Sequence, residues 1–303
     1  MSNEIPSISV DAFLPAAMAA KAEDIGVKKA SLNVLSMFAL AILAGAFIGI
    51  GAIFATTVSA GSMAISTSAG DAAFKTGLPY GITRLLTGLA FTVGLILVVV
   101  GGAELFTGNN LITMAFMSKK VKLSALLQNW GVVYVGNFVG SIITALIVFF
   151  GKQYTFGSNS IGLAALNIGN AKCGYDFIQA IALGIMCNAL VCMAVWMCYS
   201  ARTTTDRILA IIPPISCFVA AGVEHSVANM YFIPIALFIK NFDSKVYDAI
   251  VANLNAGKDF ANLTWDKFFI NNLLPVTIGN IIGGALMVGL IYWFVYLRKQ
   301  PAK

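Results

Sequence analysis

Four stretches of the chain contain no charged residue, and each is longer than a membrane-spanning helix: 30–70, 123–151, 177–201 and 268–297. A helix needs about 20 apolar residues to cross the hydrocarbon core of a bilayer. Only 11% of all residues are charged and the mean hydropathy is +0.86, whereas ordinary soluble domains are about 25% charged. The sequence therefore predicts an all-α membrane protein.

Two further apolar stretches are too long for one span. Leu85–Ser118 is interrupted only by Glu104, and Ile208–Ile239 only by Glu224 and His225. As continuous helices they would be roughly 50 Å long, against a hydrocarbon core of about 30 Å. We therefore expect one broken helix in each stretch. With plain spans at about 35–58, 124–150, 177–200 and 269–296, the prediction is six transmembrane helices, of which helices 2 and 5 are broken.

The two expected breaks have matching sequences. Residues 102–109 and 222–229 both read G-x-E-x-x-x-x-N, and the pattern N-x6-GN-x2-G starts at Asn129 and again at Asn272. This order indicates an internal duplication with three spans in each half, and an odd number of spans inverts the second half in the membrane. We predict one transmembrane channel domain over 1–303, with a first repeat at 35–150 and a second at 176–297.

Basic residues between the spans predict the topology. Eleven basic residues fall in segments on one side of the predicted membrane: Lys21, Lys28, Lys29, Lys119, Lys120, Lys122, Arg202, Arg207, Arg298, Lys299 and Lys303. The positive-inside rule then places both termini in the cytoplasm. The net charge of +6 follows from this topology and indicates no nucleic-acid partner. Residues 1–34 show no removable signal peptide and predict a cytoplasmic surface helix over 11–29, with Asp11 as its N-cap.

The breaks are the expected functional site. Non-helical backbone is tolerated inside a bilayer only where protein buries it or a cavity solvates it. His225 is the only histidine, and an ionisable group at this depth is a functional candidate that titrates near physiological pH. The alternative is a neutral histidine bonded to a backbone carbonyl. Glu104 and Glu224 are expected to accept hydrogen bonds from loop amides or helix ends, and Asn109 and Asn229 to cap the resuming helices.

Several other function classes lack their motifs in this sequence. The five cysteines show no metal-ligand spacing, no Ser-Gly dipeptide or phosphate-binding loop occurs, and no Asn-Pro-Ala stands at either break. We therefore predict no catalytic residue, no metal and no cofactor, and disfavour an aquaporin-type channel for neutral solutes. A membrane-embedded enzyme remains a remote alternative.

With these residues the sequence resembles the formate/nitrite transporter family, and most closely its formate channels. The most specific stretches are Gly101–Thr107, Val223–Met230 and Asn272–Gly284, within a match from Leu14 to Arg298. The resemblance implies an aquaporin-like protomer, a homopentamer and a bacterial inner membrane. It also implies transport of a small monovalent anion, either passive or coupled to protons. Formate is the first expectation, with nitrite or hydrosulfide as alternatives.

The resemblance also implies roles for individual residues. His225 would be the central pore histidine and Thr107 its hydrogen-bonding neighbour, with Glu224 and Asn229 along the same pathway. Leu95 and Leu105 would form one constriction with Phe91 nearby, and Phe218 would belong to the other. Asn188 would lie near the pore, and Lys172 would attract anions. The loops at about 60–83 and 241–267 are longer than in formate channels and leave the substrate open.

A dry constriction predicts how an anion could cross. Because desolvating a bare anion is costly, it would cross as the neutral acid or paired with a protonated His225. Flux should then rise as the external pH falls. Passive conduction and proton coupling, the direction of transport, and gating by the N-terminal segment all remain open.

Overall fold

The helices account for most of the chain in the computed structural model, which describes residues 11–61, 65–66, 73–74, 78–253 and 260–298. In order they are α1 (Pro15–Ala30), α2 (Val34–Ala60), α3 (Tyr80–Gly101), α4 (Phe106–Asn109), α5 (Thr113–Met117), α6 (Leu123–Phe150), α7 (Ser160–Lys172), α8 (Phe177–Ser200), α9 (Thr204–Ala221), α10 (Ser226–Phe242), α11 (Ser244–Asn253) and α12 (Trp265–Tyr296). A 3-10 turn joins α4 to α5, and two π-helical stretches lie within α12, at Phe268–Leu273 and Ile282–Leu290.

Six of the described helices are long and apolar enough to cross a membrane: α2, α3, α6, α8, α9 and α12. The four plain spans of the sequence prediction are confirmed to within a few residues at each end. Many large apolar side chains on these helices are exposed, among them Phe54, Leu127 and Ile147. Such faces are stable only against lipid or another subunit.

The all-α prediction missed one small element. Within the 60–83 loop, β1 (Ile65–Ser66) and β2 (Ala73–Phe74) form an antiparallel pair with Ile65 opposite Phe74. Residues 62–64, 67–72 and 75–77 of that loop lie outside the described residues.

The predicted N-cap of the first helix is wrong. Leu14 precedes α1, which begins at Pro15, and Asp11 lies outside the helix. Proline is favoured in the first helical turn because its fixed φ suits the helix and its missing N–H would be unpaired there. The Asp11 carbonyl instead accepts a hydrogen bond from Arg202 Nε at 2.7 Å.

Helices pack closely where glycine replaces a larger side chain. A Cβ on Gly140 of α6 would lie 2.0 Å from the Ile42 carbonyl oxygen of α2, and one on Gly283 of α12 would lie 2.1 Å from Ile185 O of α8. Small residues of this kind let helix backbones touch in membrane proteins. Both glycines close the repeated N-x6-GN-x2-G pattern, so the same helix contact occurs twice.

Two short loops interrupt the helices at corresponding places. We call residues 102–105 the first loop, between α3 and α4, and residues 222–225 the second loop, between α9 and α10. Gly102 has φ +74° and Gly222 has φ +78°, a left-handed conformation that glycine adopts without steric cost. Apart from these two glycines, every residue of both loops is buried, so the backbone groups need partners inside the protein.

Candidate functional site

Asn137 of α6 holds the first loop in place. Its Nδ2 donates to the Glu104 carbonyl at 2.9 Å and to Ala41 O of α2 at 2.8 Å, and its Oδ1 accepts from Phe106 N at 2.9 Å. Asn137 is fully buried. One amide side chain therefore replaces the helical hydrogen bonds that the interruption removes.

Asn280 of α12 does the same for the second loop. Its Nδ2 donates to Gly184 O at 2.9 Å and to Glu224 O at 3.0 Å, and its Oδ1 accepts from Ser226 N at 2.9 Å. The sequence motif contained Asn137 and Asn280, but sequence reasoning did not assign this role to either of them.

The carboxylate of Glu104 is the centre of a polar network at the first loop. Lys29 Nζ donates to Glu104 Oε1 at 2.7 Å, and Asn109 Nδ2 donates to Glu104 Oε2 at 2.7 Å. Asn109 Nδ2 also lies 2.9 Å from Asn129 Oδ1, and Asn129 Nδ2 donates to the Lys29 carbonyl at 3.1 Å. This buried carboxylate therefore has both a counter-ion and amide donors.

The network around Glu224 repeats that arrangement. Lys172 Nζ donates to Glu224 Oε1 at 2.7 Å, and Asn229 Nδ2 donates to Glu224 Oε2 at 2.7 Å. Asn229 Nδ2 also donates to Asn272 Oδ1 at 2.7 Å, and Asn272 Nδ2 donates to the Lys172 carbonyl at 2.9 Å. The four residues match Lys29, Glu104, Asn109 and Asn129 one by one.

The partners of the two glutamates differ from the prediction. Loop amides or helix ends were expected, but the described donors to the carboxylates are lysine and asparagine side chains. Lys29 was missed as a site residue, although its offset from Lys172 in the sequence equals that of Asn129 from Asn272. That shared offset was the signal that could have found it.

Thr107 of α4 and His225 of the second loop connect the two loop regions. Thr107 Oγ1 lies 2.9 Å from His225 Nε2, and both residues are buried. His225 Nδ1 accepts the Ala228 backbone N–H at 3.0 Å, which makes the ring the N-cap of α10. Because Nδ1 is an acceptor, a neutral ring carries its proton on Nε2 and donates it to Thr107. The ring is thus bonded to a hydroxyl and a backbone amide, not to the carbonyl of the alternative interpretation.

Two cavities approach this pair. Cavity A has a volume of about 270 Å³ and is lined by Arg84, Phe91, Lys172, Phe218, Glu224, His225 and Asn229, among others. Cavity B has a volume of about 310 Å³ and is lined by Lys21, Lys29, Leu95, Glu104, Leu105 and Arg207, among others.

The helices α3 and α9 run from one cavity to the other. Helix α3 contributes Arg84 to cavity A and Val99 to cavity B, whereas α9 contributes Arg207 to cavity B and Val219 to cavity A. The two packed helices therefore run in opposite directions, and the cavities lie toward opposite ends of the bundle.

Apolar side chains form part of the lining of both cavities. Phe91 lines cavity A and Leu95, one helical turn later, lines cavity B together with Leu105. The ring centroids of Phe91 and Phe218 are 5.6 Å apart, and Phe218 stacks at 6.0 Å from the His225 ring. Of the four residues predicted as constrictions, Phe91 and Phe218 therefore line cavity A, and Leu95 and Leu105 line cavity B.

Asn188 lies beside the site but lines neither cavity. Its Nδ2 lies 2.6 Å from Asn280 O, 2.8 Å from Asn110 Oδ1 and 3.3 Å from Thr107 O. It is fully buried and connects α8 to both halves of the site.

Known proteins of one kind match the chain over nearly its whole length. The family model described as "Formate/nitrite transporter" matches residues 16–294. The chain is 42% identical over 290 residues to the "Formate channel FocA" of Escherichia coli, covering 96% of each chain. A solved "Pentameric formate channel with formate bound" superposes with a TM-score of 0.76 at 44% identity, covering 88% of this chain and 98% of that one. A solved "FNT family ion channel" gives 0.73 at 28% identity, covering 92% and 98%.

Proposed function

Because the chain belongs to the formate/nitrite transporter family, we propose that it conducts formate across a bacterial inner membrane. The observation that carries the proposal is the buried Thr107–His225 hydrogen bond of 2.9 Å. His225 of this pair lines cavity A, and cavities A and B both contain basic residues. The chain is not proposed to be an enzyme.

We further propose that the protomer consists of two inverted repeats. In this proposal α3 with α4 and α5 forms one broken span, and α9 with α10 forms the other. The matching asparagine and glutamate networks of the two loops support the duplication. The correspondence of Lys29 with Lys172 extends the duplication to α1 and α7. Both helices lie outside the predicted repeats at 35–150 and 176–297.

The apolar partition explains why a proton should travel with the anion. Leu95, Leu105, Phe91 and Phe218 offer formate no replacement for its hydration shell, so a bare charge there is costly. The falling dielectric of a cavity raises the pKa of formate. Formate therefore takes a proton in the cavity, crosses as formic acid and releases the proton in the opposite cavity.

His225 takes part as a hydrogen-bond donor. Its Nε2–H, shared with Thr107, is the polar group that the passing species meets. Loss of that proton from a neutral ring would leave an imidazolate, and protonation of Nδ1 would break the bond from Ala228 N. The neutral ring therefore stabilises the acid, and the transported proton comes from solution.

A homopentamer is proposed because the chain is similar to the solved pentameric channel and covers 98% of it. Five copies would cover part of the exposed apolar helix faces, and each protomer would contain its own pair of cavities. The basic residues near α1 and at the start of α9 favour cytoplasmic termini, which places cavity B on the cytoplasmic side.

Nitrite is the second candidate, because the matching family model also names it. The described lining offers both small monovalent anions the same basic residues, and the flux comparison below discriminates between them.

Uptake into proteoliposomes tests the proposal. Formate, nitrite and hydrosulfide fluxes are compared between pH 5 and 8 for the wild type, His225→Ala, and Thr107→Ser as a control that keeps the hydroxyl. We expect formate flux to rise as the external pH falls, His225→Ala to change this profile, and Thr107→Ser to preserve it. Formate flux independent of pH would refute the proton coupling. No anion flux from folded protein would refute the channel.

A further inference from the structure

The basic residues of the cavities differ in whether an acidic residue neutralises them. Lys29 and Lys172 each form an ion pair of 2.7 Å with a glutamate of the same cavity. Cavity B contains two more cations, Lys21 and Arg207. Within the described parts of the chain, no carboxylate forms an ion pair with either of these two.

Lys21 is held in position with donor capacity to spare. Its Nζ donates to the Tyr199 carbonyl at 2.9 Å and lies 4.8 Å from the ring centroid of Phe13. An ammonium group has three N–H donors. Burial, followed by the nearby charges of Arg207 and Arg202, lowers the pKa of Lys21. Lys21 and Arg207 are thus like charges that line the same cavity, and neither is in a described ion pair.

Arg202 is less available for binding an anion than Arg207. Its Nε donates to Asp11 O, and its guanidinium carbon lies 3.7 Å from the Phe13 ring centroid. Arg202 does not line cavity B, whereas Arg207 does. Among the described residues, no hydrogen-bond acceptor is assigned to the Arg207 guanidinium.

We propose that Lys21 and Arg207, both in the lining of cavity B, form a binding site for a small monovalent anion, formate or a similar carboxylate. The choice of formate rests on the proposed function. An anion between the two groups would compensate their mutual repulsion and satisfy N–H donors that are left over. The Lys21–Arg207 pair attracts anions at cavity B, the role that the family resemblance implies for Lys172.

This site exists at one end only. The duplication matches Lys21 with Ala164 and Arg207 with Thr87, neither of which is charged. Arg84, a further cation of cavity A, donates to the Ala220 carbonyl at 3.2 Å and also to that of Val219. Anions should therefore meet different attraction at the two ends of the pathway.

Directional transport tests the site. The double variant Lys21→Gln/Arg207→Gln is compared with Lys28→Gln/Lys122→Gln, which removes the same charge from two exposed residues that line neither cavity. Initial formate fluxes are measured in proteoliposomes of defined orientation. For formate supplied at cavity B, we expect the half-saturating concentration to rise about 3- to 10-fold in the first double variant. It should stay unchanged for supply at cavity A and in the control.

Chemical labelling gives a readout that needs no transport. Phenylglyoxal modification of Arg207 in the wild-type protein is followed by mass spectrometry in sodium formate and in sodium gluconate of equal ionic strength. We expect several-fold protection by formate and little by gluconate.

The two measurements separate the site from the proposed function. Protection of Arg207 in a protein that carries no formate would support the site and refute the function. Formate flux that is identical in both double variants, with no protection of Arg207, would refute the site and leave the function standing.

Discussion

At the scale of single residues, the two buried glutamates determine how much charge each cavity holds. Glu224 is 1% exposed, and its partner Lys172 forms the only described ion pair with it. An uncompensated carboxylate there would repel anions and carry a large desolvation cost. Lys172 therefore neutralises Glu224.

Replacement of Lys172 should expose this role. We expect Lys172→Met to lower the free energy of unfolding by about 3–5 kcal/mol, because it leaves a buried charge without a partner. The double variant Lys172→Met/Glu224→Gln should recover much of that loss. Thermal unfolding in detergent measures both, with Lys28→Met as an exposed control. A double variant as unstable as Lys172→Met would contradict neutralisation.

At the scale of helices, close backbone contact fixes the loops. The asparagines that hold the loops, Asn137 and Asn280, lie three residues before Gly140 and Gly283, whose backbones touch the neighbouring helices. Any increase in the separation of α2 and α6 would therefore also move Asn137 away from its acceptors. Helix packing and loop geometry are coupled in both halves.

A single methyl group should test this coupling. Gly140→Ala would place a Cβ 2.0 Å from Ile42 O, and overpacking of this kind typically costs about 1–3 kcal/mol. Gly131→Ala on the same helix meets no atom within 4 Å and should be neutral or gain up to about 1 kcal/mol from helix propensity. Thermal unfolding compares the two variants. Equal unfolding midpoints for the two variants would show that the close α2–α6 contact does not limit stability.

At the scale of the whole molecule, the chain presents apolar faces outward and contains two cavities toward opposite ends of α3 and α9. In the proposed function the anion passes His225 between these cavities, and the described lining of both cavities comes from one chain. If five copies assemble, their pathways should work independently.

Mixed assemblies should reveal that independence. Native mass spectrometry is expected to give five copies of the 32.0 kDa chain. In pentamers mixed from wild type and His225→Ala, the pH-dependent formate flux should fall in proportion to the fraction of variant chains. A disproportionate loss would indicate one shared pathway, and another copy number would contradict the pentamer.

Sequence alone identified the membrane-length helices, the family and the candidate residues His225, Thr107 and Glu224. Spans can be predicted because whether a segment enters lipid depends on its own composition. The glycines of the two loops could be predicted for a similar reason, since positive φ is a local demand.

Only the tertiary structure decided which charges remain uncompensated. Lys29 and Glu104, like Lys172 and Glu224, come together from distant parts of the chain, while Lys21 and Arg207 meet at cavity B. Whether two charges pair depends on their distance in space, and a local sequence pattern does not give that distance. The sequence therefore predicted the candidate residues of an anion pathway, whereas packing decided that Lys172 is paired with Glu224.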